Sequence, residues 1–401
     1  MFLRYNVLFI NNLIIENLPM SPVNQLSSFM PVPEDIDFIL QAEYAKKLRT
    51  FLPPEAFAPN INKLVILLIN LVILVLGWII ADKLEQWSVY YLWLYLPLAV
   101  VMGNSIIALL FTSHDLMHGS VIRNPRLMRL ISLLGLTMLW MPPTLWKAVH
   151  NRVHHKNTNN FGDPDRNYLD EQPKTWGKWI QNLFVPSAEV NPFWLTVGMT
   201  SAWGVHTFRN LTSVLLFNRE TVDYVPAAFT VSAKDRRAIA WESLVIFMIH
   251  LSIMAYLEFN PIKLILSYFL PIAIGYAGVM FYIYTNHMVC QMTSVNDPLI
   301  NSLSLRVPKI FDLLHFNFSY HAEHHIFPGI NSDYYPLVQE LITTHYPEKS
   351  EKYILDAGVA WRLLLQTPRH YKNETTFTDW SREKSVTCPL SQKYTSDIMV
   401  K

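Results

Sequence analysis

Only two cysteines, Cys290 and Cys388, occur in 401 residues, and they lie far apart. That excludes a disulfide framework, a cysteine-rich zinc site and a thiolate-held iron–sulfur cluster. No excess of charge of one sign exists either. The formal net charge is +1, which gives no electrostatic case for nucleic acid. The chain has no repeat period, no low-complexity run and no His-Pro-Gly-Gly haem-binding signature. What it has is apolar surface: hydrophobic residues make up 51% and the mean hydropathy is positive. This argues for a membrane protein over the two or three soluble domains that length alone would allow.

Four apolar segments, Leu64–Ala81, Val89–Ser113, Ala240–Leu257 and Leu264–Tyr284, each approach the ~20 residues that cross a bilayer. Short loops, Asp82–Ser88 and Glu258–Lys263, join them in pairs. The expected fold is an all-α membrane protein with four transmembrane helices in two hairpins and a cytoplasmic helical cap. Residues 1–60 read as a polar leader with a short amphipathic helix around Asp35–Arg49, 61–345 as the membrane domain, and 346–401 as a polar tail whose last twenty residues are disordered. No small-residue cleavage site precedes Pro19, which argues against a signal peptide. Lys46, Lys47 and Arg49 precede the first span, and Arg123, Arg126, Arg129, Lys147, Arg152, Lys156, Arg236 and Arg237 lie between the pairs. The positive-inside rule then puts both termini and the middle region in the cytoplasm. A fifth stretch, Leu127–Trp146, is long enough to cross, but Arg129 and Pro142–Pro143 interrupt it. It reads as interfacial or re-entrant, and Asn191–Phe217 reads as interfacial.

The histidines give the chain its chemistry. They form three boxes: His114 and His118 in HDLMH, His150, His154 and His155 in HNRVHH, and His321, His324 and His325 in HAEHH. Offsets of three and four residues let one helical face present two ring nitrogens to a metal. Neutral imidazole suits iron, zinc, copper and nickel. His287 ends the fourth span, and on the four-span topology all nine of these histidines emerge on one side. That is too many ligands for one metal and about right for two. Asp115 and Glu323 are either acceptors for ligand N–H groups or solvated carboxylates, and Asp163 and Asp165 either accept likewise or shape the loop around Pro164. His250 falls within the third span, where it is either functional or bonded to a backbone carbonyl. His315 is a candidate additional ligand or ligand partner. His206, His345 and His370 read as surface or interface residues.

The order HDLMH, HNRVHH, HAEHH resembles the histidine boxes of integral-membrane fatty acid desaturases and their hydroxylase relatives. HNRVHHKNTNNFGDPDRN is similar to the second box of that family, and FSYHAEHHIFPG to the third, over about Leu64–Leu341. The resemblance implies that the eight box histidines bind two iron ions, with O2 as co-substrate. A further histidine near the end of the fourth span often joins them, and His287 fits that position, with Asn286 beside it as a water-mediated ligand. It also implies a lipid acyl substrate and a separate electron donor, a ferredoxin or cytochrome b5, docking near the basic region.

The chemistry is consistent with this. Removing two hydrogens from an unactivated C–H pair is beyond any side-chain acid or base and needs a metal, O2 and two electrons. Three functions compete: a fatty-acyl desaturase, a carotenoid ketolase or hydroxylase of the same superfamily (HDLMHGSVIRNPRL is similar to the first box of carotenoid ketolases), and a membrane zinc hydrolase or metal carrier. A zinc hydrolase needs about three protein ligands plus water and would leave most of these histidines idle.

Overall fold

The computed structural model describes residues 37–160, 162–165, 169–170, 176–217, 229–388 and 390. The expectations for the extreme N-terminus therefore lie outside the described residues, and those for the last twenty residues mostly do. Helix α1, Gln41–Leu48, is the part of the Asp35–Arg49 expectation that can be seen.

Among the described residues, four helices are long and apolar enough to cross a membrane. They are α2 (Lys63–Ala81, prolonged by a 3-10 turn to Gln86), α3 (Leu96–Met117, preceded by the 3-10 turn Val89–Tyr95), α8 (Ala233–Tyr256) and α9 (Pro261–His287). With their 3-10 extensions all are longer than the apolar runs that announced them, because polar ends such as Lys234–Arg237 and Asn286–His287 continue the helix. The inner pair, α3 and α9, meet through glycines. A Cβ at Gly103 would lie 2.5 Å from Ile274, and one at Gly275 would lie 2.7 Å from Ile106. In lipid no hydrophobic force drives helices together, so close backbone approach through small residues does that work. The outer pair leaves much of its surface bare: Val65, Leu68, Ile69, Val75 and Ile80 on α2, and Trp241, Leu244 and Met248 on α8, are exposed.

The doubtful fifth stretch is broken by a right-angled bend. Helix α4, Pro125–Leu136, runs through a 3-10 turn to Leu139 and stops at Trp140, whose φ is 55°. Helix α5, Pro143–Trp146, then leaves at 94° to it. Two polar residues of α8 hold this corner. Glu242 pairs with Arg129 and accepts from the Thr144 amide at 2.9 Å, capping α5. His250 bonds the Thr137 carbonyl at 2.9 Å and the Tyr268 hydroxyl at 2.7 Å, and its ring stacks on Trp140. Of the two readings for His250, the carbonyl-bonded one is correct: both ring nitrogens are satisfied within the protein.

Helix α6 (Trp176–Phe184) and the long helix α7 (Pro192–Phe217) follow, with α7 packed on α9. Beyond α9 come α10 (Pro298–Asn301), α11 (Lys309–Leu314), α12 (His321–Ile326) and α13 (Tyr335–His345). A second, smaller core joins Tyr44, Leu48 and Leu52 of the leader to Ala322, Ile326 and Val338, so the leader packs against α12 and α13.

The tail is more than an appendage. It forms α14 (Pro347–Tyr353) and α15 (Ala357–Gln366) and supplies strands to two small sheets. Strands β2 (Ser304–Arg306) and β3 (Ile354–Asp356) pair in parallel. Strand β1 (Leu169–Asp170) pairs in parallel with β4 (His370–Asn373), which continues antiparallel to β5 (Thr376–Thr378) and β6 (Ser385–Thr387). A polar composition concealed this because few residues, such as Leu364, Tyr371 and Phe377, anchor it in the core. The fold is thus predominantly helical, with short strands that helical periodicity could not announce.

Candidate metal centre

Each box reaches the centre by a different local geometry. The first lies on the last turn of α3, where His114 and His118 are four apart and share a face. The third is α12 itself, where His321 and His325 share a face and His324 points elsewhere. The second box departs from expectation. Lys147–Asn151 is a π-helical turn and His154–Lys156 a 3-10 turn. As a result His150 groups with His155, five residues on, rather than with His154 alone. π-turns commonly occur at functional sites.

All nine expected histidines come together. His114, His118, His150, His155 and His324 form one group, and His154, His287, His321 and His325 a second, with ligand atoms in each lying within 4.8 Å of one another. His150, His154 and Asp165 form a third close set that links the two. The rings of His114 and His150 are 5.1 Å apart, so the bend after α4 returns the second box to the first.

Six of the nine outer nitrogens are held by the protein, while His155 Nδ1 and His321 Nδ1 are buried with no hydrogen-bond partner among the described residues. His114 Nδ1 faces Asp115 at 3.3 Å, His150 Nδ1 faces Asp165 at 3.3 Å, and His154 Nδ1 faces Asp163 at 2.8 Å. His287 Nδ1 faces the Asn301 carbonyl at 3.2 Å, His324 Nδ1 the Tyr335 hydroxyl at 2.9 Å, and His325 Nδ1 the Thr158 hydroxyl at 3.3 Å. Where the partner is a carboxylate or carbonyl, Nδ1 carries the proton and Nε2 is left as a bare lone pair.

Those Nε2 atoms converge. His155 Nε2 lies 3.2 Å from His150 Nε2 and 3.1 Å from His324 Nε2. His321 Nε2 lies 2.7 Å from His287 Nε2 and 3.1 Å from His325 Nε2. His114 Nε2 and His118 Nε2 are buried with no hydrogen-bond partner among the described residues. Two nitrogens each about 2.1 Å from one ion, at right angles, would be about 3 Å apart. The donor set therefore fits two metal ions. Burial, with the neighbouring imidazoles adding to it, holds His118, His321, His324 and His325 well below the ordinary histidine pKa, which keeps them neutral and able to bind metal.

Asp115 has a partner of its own that the sequence did not suggest. Lys63, the first residue of α2, is buried, and its Nζ lies 2.8 Å from Asp115 Oδ2 and also contacts Ser332. In the sequence Lys63 is only a cation flanking an apolar run. Glu323 does not serve as expected: its carboxylate accepts from Gln339 and Tyr353 at 2.8 and 2.9 Å and from Ser304, fastening α12 rather than a ligand ring.

Among the remaining histidines, His315 belongs to neither group. It bonds Tyr282 and Asn104 at 3.0 and 3.1 Å. His206 is not at the surface: its Nε2 lies 3.1 Å from Asp165 Oδ1, on the far side of the carboxylate from His150. His370 is fully buried in β4, and His345 is half-buried against Phe51. Both polar atoms of the Asn286 side chain are buried without a hydrogen-bond partner among the described residues, next to His287.

A cavity of about 50 Å³ lies against both groups, touching His114, His150, His154, His287 and His321. Apart from Asp165 and His206 its other walls are apolar, including Leu110, Phe111, Met280, Ile283, Phe318 and Trp203. A largely apolar slot beside two converging sets of metal donors suits oxidation of a hydrocarbon.

No curated protein matches the chain. The fatty acid desaturase family matches residues 91–356, more than half of the sequence and all three boxes. On that match, the chain belongs to the fatty acid desaturase family.

Proposed function

We propose that this protein is an O2-dependent fatty-acyl desaturase that places a C=C double bond in a lipid acyl chain. The observation that carries the proposal is the division of nine imidazoles into groups of five and four beside a largely apolar cavity. His114, His118, His150, His155 and His324 would hold one iron, and His154, His287, His321 and His325 the other. When bound, the two irons would supply the oxidising power, drawn from O2 and two electrons, that side chains lack.

The chain's own residues do the rest. Asp115, Asp165, Asp163 and the Asn301 carbonyl hold the Nδ1 protons and so keep Nε2 free for metal. Asn286 is positioned as a ligand through water. Leu110, Phe111, Met280, Ile283 and Phe318 receive the methylene chain and exclude water from the reacting carbons. Five donors in one group exceed the four of a usual zinc site, which favours iron over a zinc hydrolase.

The arrangement we favour has α2–α3 and α8–α9 as two hairpins, with the boxes in a cap at their cytoplasmic ends. The domain division is a leader to residue 60, a membrane domain over 61–345 and a tail beyond it. The support is the excess of Lys and Arg between the spans. The electrons come from a separate ferredoxin or cytochrome b5. Lipid profiling of a host expressing the chain, with metal analysis of the purified protein, tests the proposal. Two irons per chain and a new unsaturated acyl chain are expected. An oxygenated carotenoid product would instead identify a ketolase or hydroxylase, and a single zinc with unchanged lipids would refute the reading.

A further inference from the structure

We infer that α11, the six-residue helix Lys309–Leu314, is a membrane-embedded element that does not span, its outer face covered by the acyl chains of the bilayer. Hydropathy alone misses it because it is too short. Ile310, Phe311, Leu313 and Leu314 are 54%, 42%, 74% and 38% exposed, a dense apolar patch outside the four spans.

Its depth is set by His315, which follows it directly. His315 bonds Asn104 of α3 and Tyr282 of α9. Asn104 precedes His114 by ten residues, about 15 Å along the helix. The lipid level reaches up to the histidine boxes, because Lys63 touches Asp115 while Val65, two residues into α2, is already 58% exposed. His315 is therefore tethered below the metal plane, in the apolar zone. The exposed cations Arg306 and Lys309 stand at the head of α11, where phosphate headgroups would meet them. Asp312, the one acid of the helix, is turned inward onto Ser319. The same loop ends at Phe318, which stacks on Phe111 with ring centres 3.8 Å apart and lines the cavity. A lipid-covered helix thus sits beside the cavity wall, where a chain dissolved in the bilayer would reach it.

This inference rests on the four-span reading, and the experiment separates the two. Leu313→Cys, Ile69→Cys and Val386→Cys place a thiol on α11, mid-way along α2, and on β6 respectively, all at exposed positions. Cys290 and Cys388 are fully buried, so the unsubstituted protein serves as the labelling blank. Each variant carries an environment-sensitive fluorophore, in nanodiscs with and without doxyl-labelled phosphatidylcholine. The Leu313 and Ile69 probes should lose most of their emission to the doxyl chains, and the Val386 probe should keep it. Quenching at Ile69 without quenching at Leu313 overturns the inference alone. Absence of quenching at Ile69 overturns the span reading beneath it.

Discussion

The two histidine groups are built from the same residue type and share the same boxes, yet they differ in enclosure and support. The four-histidine group is buried throughout, whereas His118 and His155 leave the five-histidine group partly open to its surroundings. The five-membered group contains one ligand whose carboxylate partner is backed by a buried lysine, the chain His114–Asp115–Lys63. The four-membered group relies on Asp163, a backbone carbonyl and a threonine hydroxyl. The difference teaches that loss of one ligand should weigh unequally on the two sides. Four donors have no spare, while five leave four behind.

The substitution that should break the comparison outright is His154→Ala. His154 belongs to the closed group and also to the linking set with His150 and Asp165. Metal content should fall by more than half and product formation should cease, with the helical circular dichroism unchanged. Full product formation in that variant would remove the metal reading.

His287→Ala tests the closed side by itself. It should leave about one of two irons bound, since a set of three neutral donors holds iron weakly, and almost no desaturation. Asn286→Ala should be milder. His118→Ala, its counterpart on the five-membered side, should retain more metal than His287→Ala in a titration followed by mass spectrometry. Equal losses in the two would show that the groups are not distinct.

Lys63→Met sharpens the comparison from outside the ligands. Without its cation the buried Asp115 carboxylate loses its main partner and holds the His114 tautomer less firmly. Affinity at the five-membered site should drop by roughly 10–100-fold, the usual cost of losing support behind a ligand. The four-membered site should be untouched. Asp115→Asn and the double variant should show the same loss as each other, because Lys63 acts through Asp115. An unaltered metal titration would reduce Lys63 to a structural ion pair.

The smallest effect is expected at His250, which holds the bend and touches no other histidine. His250→Phe should cost about 1–3 kcal/mol of stability through its two lost hydrogen bonds, read as a lower melting temperature. Metal content should not change.

Much of this was legible in the sequence, for a physical reason. Apolar runs and three- and four-residue offsets are local, so the spans, the first and third boxes and His287 at the end of α9 could be read from neighbours along the chain. What escaped was set by distance or by departure from the α-helix. The π-turn at Lys147–Asn151 regroups the second box, and no periodicity announces a five-residue pairing. Lys63 meets Asp115 across 52 residues, and His250 meets Thr137 across 113. Lys63 looked like an ordinary flank, and for His250 a carbonyl partner could be expected but not named. His206 was misjudged because its partner, Asp165, lies far from it along the chain and no local pattern joins them.

Helix α12 gives His324 to one group and His321 and His325 to the other. A ribosome making this chain would deliver those three residues last of all the ligands, after every spanning helix has emerged. Neither site can be complete before then, and a chain cut short ahead of His321 would lose two of the four donors on one side but only one of the five on the other.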